Sequence, residues 1–328
     1  MRPYNTNPHA VRDADTDCMR LFAAFFVVLI HCSDTATLSG IVWNGLARFS
    51  VPVFVLISGY YLLPREQSIR ALAKRSGLVL LTAVVWSAVY LVNEVLFQGS
   101  AYAPAEACSY LLTQPVHLWY LYALVGLYCF TPLLGIFHRN ASQNQYLYVL
   151  GLFFFLGSPL LLLLRSGLFP VLEELVSRMK VPYTTAFLFL YLCGGYVRRF
   201  GVSARMRAIL PLLGLFGTGA TILGTFLLNG SEFLLSFFAP NVLAAGLGFF
   251  VLAKGRFQRL ASPHLHSLAA CMSGVYLLHP LVLSWLPMGL TFLPGSFQPP
   301  VRAVLVFAVS ALLVFLFRKI PVLNRLFL

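Results

Sequence analysis

Charge is scarce in this chain of 328 residues: Asp, Glu, Lys and Arg make up 10% of it, against 59% hydrophobic residues. With a mean hydropathy of +0.82, its apolar surface is more than a soluble domain can hide from water, so a soluble globular protein is excluded. Cysteine is sparse as well, and Cys18, Cys32, Cys108, Cys129, Cys193 and Cys271 occur without CxxC or Cys/His ligand spacing. Neither a disulfide framework nor a metal is implied. Acids number 10 against 23 Lys and Arg, a net charge of +13. The cations fall in short loops between apolar runs, not on one exposed face, so no nucleic-acid partner is expected. Apolar and polar residues do not alternate in runs such as LVLLTAVVWSAVYLV, which excludes a membrane barrel. No A-x-A site follows the first apolar run, and Asp13, Asp15 and Asp17 precede it; it is read as a retained helix, not a cleaved signal.

What remains is an all-α, polytopic membrane protein. Apolar stretches long enough for helical spans centre on 19–36, 46–63, 78–97, 118–137, 146–164, 183–200, 208–228, 234–252, 268–286 and 301–317. They predict one ten-helix bundle over 17–318, between a polar tail at 1–16 and a short basic tail at 319–328. With the N-terminus in the cytoplasm, only Arg48, Arg165, Arg178, Lys180 and Arg302 lie outside, and the positive-inside rule then puts both termini in the cytoplasm. Most loops are too short for a soluble domain. Those at 165–182, with Glu173 and Glu174, and 287–300, rich in proline, are expected to roof an outer cavity. There is no internal repeat of the kind an inverted-repeat transporter shows.

The first span reads DCMRLFAAFFVVLIHCS, with Arg20 and His31 eleven positions apart. At ~100° per residue both leave nearly the same helix face, about 16 Å apart along the axis. Ionisable groups at membrane depth mark a path, a relay or a reaction centre. Asp17 stands three residues before Arg20, close enough to pair across one turn, and Arg20 can offer donors to a phosphate arriving from the cytosol. A snorkelling arginine is the plainer alternative. His31 falls near mid-membrane, where an imidazole needs a polar partner or a cavity.

Further along, Ser58, Gly59 and Tyr60 interrupt an apolar run. Gly59 admits close helix approach, while Ser58 and Tyr60 are open to either a packing or a site role. PVHLWYLYALVGLY puts His117 and Trp119 at the outer surface, with Trp119 an interfacial belt residue and His117 able to face an outer cavity. In GVYLLHPLVL, His279 lies about as deep as His31, and Pro280 biases it away from helical geometry. Two histidines at one depth point to one cavity. Glu94 reads as interfacial, and His9, His138, His264 and His266 as ordinary tail or loop residues.

With these segments in order, the sequence resembles the acyltransferase 3 family of bacterial integral-membrane acyltransferases. The resemblance is carried by Asp17, Arg20 and His31 in an R-x10-H pattern, Ser58-Gly59-Tyr60, Arg75, His117-Leu118-Trp119 and Tyr276-Leu277-Leu278-His279. Length and the HLWYLYALVGLY segment look most like the enterobacterial common antigen O-acetyltransferase subgroup. The Arg75 segment, KRSGLVLL, lacks the proline that often follows the basic pair in relatives.

The resemblance implies transfer of an acyl group, usually acetyl, from cytosolic acetyl-CoA or another acyl-CoA to a hydroxyl of a cell-envelope polysaccharide or lipid-linked sugar. No permanently bound cofactor is implied, and the location is the bacterial inner membrane. Some relatives carry a further periplasmic esterase-like domain; this sequence ends at Leu328, so transfer is expected to be completed by the bundle or a separate partner. Arg20 and Arg75 would bind the CoA phosphates. His31 would act as base or transient acyl acceptor, in a tunnel shared with Arg20. Ser58, Tyr60 or a backbone N–H would stabilise the oxyanion, and His279 would bind or orient the acceptor. The competing reading is a transporter or flippase in which the same residues line a pathway and no covalent bond changes.

Overall fold

In a computed structural model, residues 13–113, 116–160, 185–230, 233–286 and 292–320 are described. Every regular element among them is helical, and none is a strand. In chain order these are α1 (Ala14–Cys32), α2 (Leu38–Ala47), α3 (Ser50–Leu62), α4 (Ile69–Phe97), α5 (Pro104–Thr113), a 3-10 turn (Val116–Leu118), α6 (Trp119–Asn140), α7 (Gln143–Gly157), α8 (Thr185–Phe200), α9 (Ala204–Leu227), α10 (Pro240–Ala253), a 3-10 turn (Gln258–Leu260), α11 (Pro263–Ala269), α12 (Met272–Trp285) and α13 (Gln298–Phe317). Their starts follow local chemistry. Ser68, Ser142 and Ser203 each accept a backbone N–H as N-caps, and Pro240 stands in the first turn of α10.

Each expected apolar stretch falls on a helix, with shifted ends. The first starts at Ala14, inside what the sequence assigns to the tail, because Asp13 caps it by accepting the Asp15 N–H at 3.2 Å. The 234–252 stretch is helical only from Pro240. The predicted loop at 165–182, with Glu173 and Glu174, and residues 287–291 of the predicted loop at 287–300 lie outside the described residues, as do the ends of the tails.

Among the described residues, length and composition alone qualify five or six helices as membrane spans. Five helices, 38–62 taken as one, 69–97, 119–140, 204–227 and 298–317, are long and apolar enough to span a membrane. The count is six if α11 and α12, bent by 51°, form one span. Within the described residues α7, α8 and α10 have 15, 16 and 14 residues, against the ~20 of a typical span. Helix α1 has 19 residues but carries Asp15, Asp17 and Arg20 near its start. The outer surface agrees with a multi-pass membrane protein. On α9, Leu212, Leu215, Phe216, Leu223 and Leu227 are all exposed, a patch that water would not tolerate.

Helix α8 runs through the middle, with every residue from Thr185 to Tyr196 buried. Its crossing with α3 depends on two glycines that face each other's backbone. A Cβ on Gly59 would lie 1.8 Å from the Tyr191 carbonyl oxygen, and one on Gly194 would lie 2.0 Å from that of Leu56. This contact sets where Ser58 and Tyr60 stand.

A second constraint fixes the start of α1. Asp13 accepts hydrogen bonds from Lys254 Nζ at 2.7 Å, Gln258 Nε2 at 2.7 Å and the Tyr61 hydroxyl at 3.1 Å. Asp15 accepts from the backbone N–H groups of Gly255 at 2.7 Å and Phe257 at 2.8 Å, and from Gln258 Nε2 at 2.7 Å. The turn after α10 can offer those N–H groups because Gly255 takes φ +84°. Asp17 pairs with Arg20 at 3.3 Å and with His266 of α11. Burial alone would raise the Asp13 carboxyl, but the hydrogen bonds and charge of Lys254, with Gln258 and Thr16, bring it down from 3.8 to about 2.

Two predictions follow from the packing and the charge. Gly59→Ala should cost about 1–3 kcal/mol as an overpacked core and lower the thermal midpoint in detergent. Gly77→Ala, where a Cβ meets nothing within 4 Å, should gain roughly 0.5–1 kcal/mol; equal effects of the two would remove the crossing from the account. Because the folded Asp13 value lies below the ordinary one, its stabilisation is present above pH 3.8 and lost as pH falls through about 2. The difference in melting temperature between wild type and Asp13→Asn should therefore be constant above pH 4 and close below it.

Candidate functional site

Two polar regions stand out, and the sequence joined them in one tunnel. The first is a cavity of about 830 Å³ at the Asp13 end of the bundle, lined by residues of α1, α3, α4, α6 and α8 and by Lys254 and Gln258. Five cations border it: Arg20, Arg65, Arg75, Arg198 and Lys254. The acids on its wall, Asp13 and Asp17, are already committed, one to Lys254 and the other to Arg20 and His266. The balance of charge favours an anion of more than one phosphate-sized group.

Tyr60 organises one side of this cavity. Lys254 Nζ lies 4.4 Å and the Arg198 guanidinium carbon 5.0 Å from its ring centre, and Arg198 also donates to its hydroxyl at 3.2 Å. Arg75 is held by a hydrogen bond to Gln67. The inner end of the cavity is closed by Phe54, Ser58 and Tyr120, with the Ser58 hydroxyl donating to the Phe54 carbonyl at 2.9 Å.

The second region is a group of three histidines. The His31 ring, on the last turn of α1, lies 5.1 Å from that of His279 on α12, and His279 lies 6.1 Å from His117. His31 is exposed, whereas His117 is 8% and His279 0% accessible. The Nε2 atoms of His117 and His279 are buried without a hydrogen-bond partner. Tyr276 joins the group by donating its hydroxyl to the His117 carbonyl at 2.5 Å, and Tyr90 packs its ring 4.7 Å from that of His117.

The structure thus gathers Asp17, Arg20, Ser58, Tyr60 and Arg75 at the cavity, and His31, His117 and His279 in the histidine group. Among the described residues that line the cavity Arg20 is included and His31 is not. A layer of rings intervenes: Tyr120 is 6.1 Å from Tyr276, which is 6.2 Å from His117. Ser58 and Tyr60 border the cavity, whereas His31 stands in the histidine group. The unbroken helix α1 does keep Arg20 and His31 in the register the spacing predicts.

Other expectations change with packing. His117, on the 3-10 turn before α6, is buried beside His279. Trp119 packs on Phe187 at 5.8 Å and Phe237 at 5.6 Å. Pro280 does not push His279 out of helical geometry; α12 passes through it, and the bend precedes α12. His138 and His266 are not idle loop residues: His138 is 3% exposed and bonded to the Tyr146 hydroxyl at 3.0 Å, and His266 pairs with Asp17. Arg65, Arg198 and Lys254 were visible in the sequence as cations of the positive-inside count, which orients a chain but does not place a binding site.

The family model for the acyltransferase 3 domain, described as an acyltransferase domain, matches residues 13–319. No curated protein and no solved structure matches the chain. The matched span runs from the cap of α1 to just beyond α13 and includes both the cation-lined cavity and the histidine group; the chain belongs to the acyltransferase 3 family of membrane acyltransferases.

Proposed function

We propose that this acyltransferase moves an acyl group, normally acetyl, from a cytosolic acyl-CoA to a hydroxyl of a cell-envelope polysaccharide or lipid-linked sugar. The carrying observation is the cavity at the Asp13 end, whose volume of about 830 Å³ and five cations suit a large polyanionic donor. In this reading the bundle crosses the bacterial inner membrane ten times with both termini in the cytoplasm, and the cavity opens to the cytosol. The concentration of cations at that end supports this orientation. The resemblance to the enterobacterial common antigen O-acetyltransferase subgroup supports acetyl as the group and an envelope glycan as acceptor.

The roles follow from position. Arg20 and Arg75 hold CoA phosphates, with Arg65, Arg198 and Lys254 completing the charge around them. Asp17 and His266 orient Arg20. The acyl arm extends past Ser58 and Tyr120, and the ring layer of Tyr120 and Tyr276 moves aside to admit the thioester to His31. His31, the exposed member of its group, takes the proton of the acceptor hydroxyl or briefly carries the acyl group. His117 orients the acceptor. The donor is a substrate, and the chemistry needs no resident cofactor.

The test is reconstituted protein given radiolabelled acetyl-CoA and a candidate glycan. An acyltransferase forms a labelled ester, whereas a transporter or flippase moves label without forming one. Arg20→Ala and Arg75→Ala should each raise the KM for acyl-CoA roughly tenfold, the worth of a charge-assisted contact, with little change in kcat. His31→Ala should lose nearly all turnover while the protein still folds and binds donor; retained turnover removes His31 from the chemistry. Mass analysis of envelope glycans with and without the protein identifies the group moved.

A further inference from the structure

His279 is the most enclosed side chain of the histidine group, and its surroundings fix which ring nitrogen carries the proton. Pro280 has no N–H, so the carbonyl of Tyr276, four residues before it, loses its helical partner. His279 Nδ1 lies 2.9 Å from that carbonyl and 3.0 Å from the carbonyl of Val275. Carbonyl oxygens only accept, so Nδ1 bears the proton and Nε2 is a bare acceptor. That acceptor is buried and unmet, a costly state in a closed interior. The exposed His31 ring is its neighbour at 5.1 Å between centres. A centre separation of 5.1 Å leaves about 3 Å between imidazole nitrogens that point at each other, within hydrogen-bond reach.

We propose that His279 is a positioning residue for His31. Its Nε2 accepts a hydrogen bond from one His31 nitrogen, so the other His31 nitrogen is unprotonated and faces the open side, where the acceptor hydroxyl arrives. This rests on the reading of His31 as the base. When the acceptor O–H bond breaks, its proton passes to that outer nitrogen and the oxygen bonds to the acyl carbonyl carbon. The C–S bond then breaks, and the departing CoA thiolate takes the proton from the His31 imidazolium. Through that cycle His279, braced by two backbone carbonyls, holds the ring in one tautomer and stabilises its charged form, as a carboxylate does for other catalytic histidines. The remaining groups around the pair are His117 and Tyr276 beside His279, Arg48 near His31, and Arg302 near Cys32. An arginine has no acceptor to offer, so neither can replace His279.

The experiment compares His279→Gln and His279→Asn with wild type and His31→Ala in proteoliposomes, measuring acyl transfer against pH. Gln puts a carboxamide oxygen where Nε2 stands; Asn reaches only to the Nδ1 position. We expect His279→Gln to retain most turnover. His279→Asn should lose roughly 10- to 100-fold in kcat, the usual effect of removing a histidine's supporting partner, with the KM for acyl-CoA unchanged. The acid limb of its pH–rate profile should move to lower pH, because the His31 imidazolium has lost its acceptor. Equal losses in both variants with an unmoved profile assign His279 to packing and overturn the proposal, as do two fully active variants. A His31→Ala protein with full turnover overturns the functional reading and this one together, which separates the two failures. Where His279→Asn does not fold, imidazole nitrogen shifts of the wild type decide the point. With the His279 signal identified by its loss in His279→Gln, a proton found on Nε2 overturns the proposal.

Discussion

Asp13, Asp15 and Asp17 crowd the start of an otherwise apolar helix, and their carboxylates are committed to other elements. Asp15 and Asp17 are 2% and 3% exposed, a burial that a carboxylate tolerates only when it is paired and hydrogen-bonded. The partners come from α3, the turn after α10, and α11. Helix α1 is therefore held by those elements around its first turn. Once placed, its depth and rotation are set there and carried by an unbroken helix to His31 on its last turn. The same carboxylates that anchor the helix also use up the negative charge of the cavity wall, leaving Arg20 and its neighbours to dominate the field inside.

The glycine contact between α3 and α8 acts in the same direction. Close approach of Gly59 and Gly194 brings Tyr60 of α3 within reach of Arg198 of α8, while Lys254 reaches both Tyr60 and Asp13. Two cations from separate elements, Arg198 of α8 and Lys254 of the turn after α10, are thus drawn around one ring by backbone packing, not by attraction among themselves. Their mutual repulsion is offset in part by the aromatic face and by Asp13, and a polyanion entering the cavity would relieve the rest.

Much of this architecture was legible in the chain, and the limits of that legibility are physical. Hydropathy reports where a helix is apolar, so each predicted stretch found a helix, but it does not report length once a charged turn or a proline intervenes, and α1 and α10 differ from expectation there. Helical spacing placed Arg20 and His31 on one face because that property is local to one helix. Whether a face meets a cavity or a ring is set by other helices, which is why the Tyr120 and Tyr276 layer was not foreseen. The same holds for His266 and His138, whose partners are 249 and 8 residues away in sequence. The proline after His279 was read as drawing His279 out of the helix; instead the carbonyl it frees is taken up by His279 within the helix.

The separation of the two polar regions bears on the choice between a transferase and a transporter. A transporter exposes one site in turn to either side of the membrane, and that site must suit its cargo in both states. Here the chemistry differs on the two sides of the ring layer. One side offers guanidinium and ammonium groups fit for phosphates, and the other offers neutral nitrogen acceptors fit for hydroxyls. A cargo that binds well on one side finds little on the other. Two substrates meeting across the layer, an anionic donor from one face and a hydroxyl-bearing acceptor from the other, use both chemistries at once. Under the proposed function, the tyrosines between them would serve a purpose that transport does not require: keeping water and free hydroxyls from an incoming thioester until its arm is threaded past them.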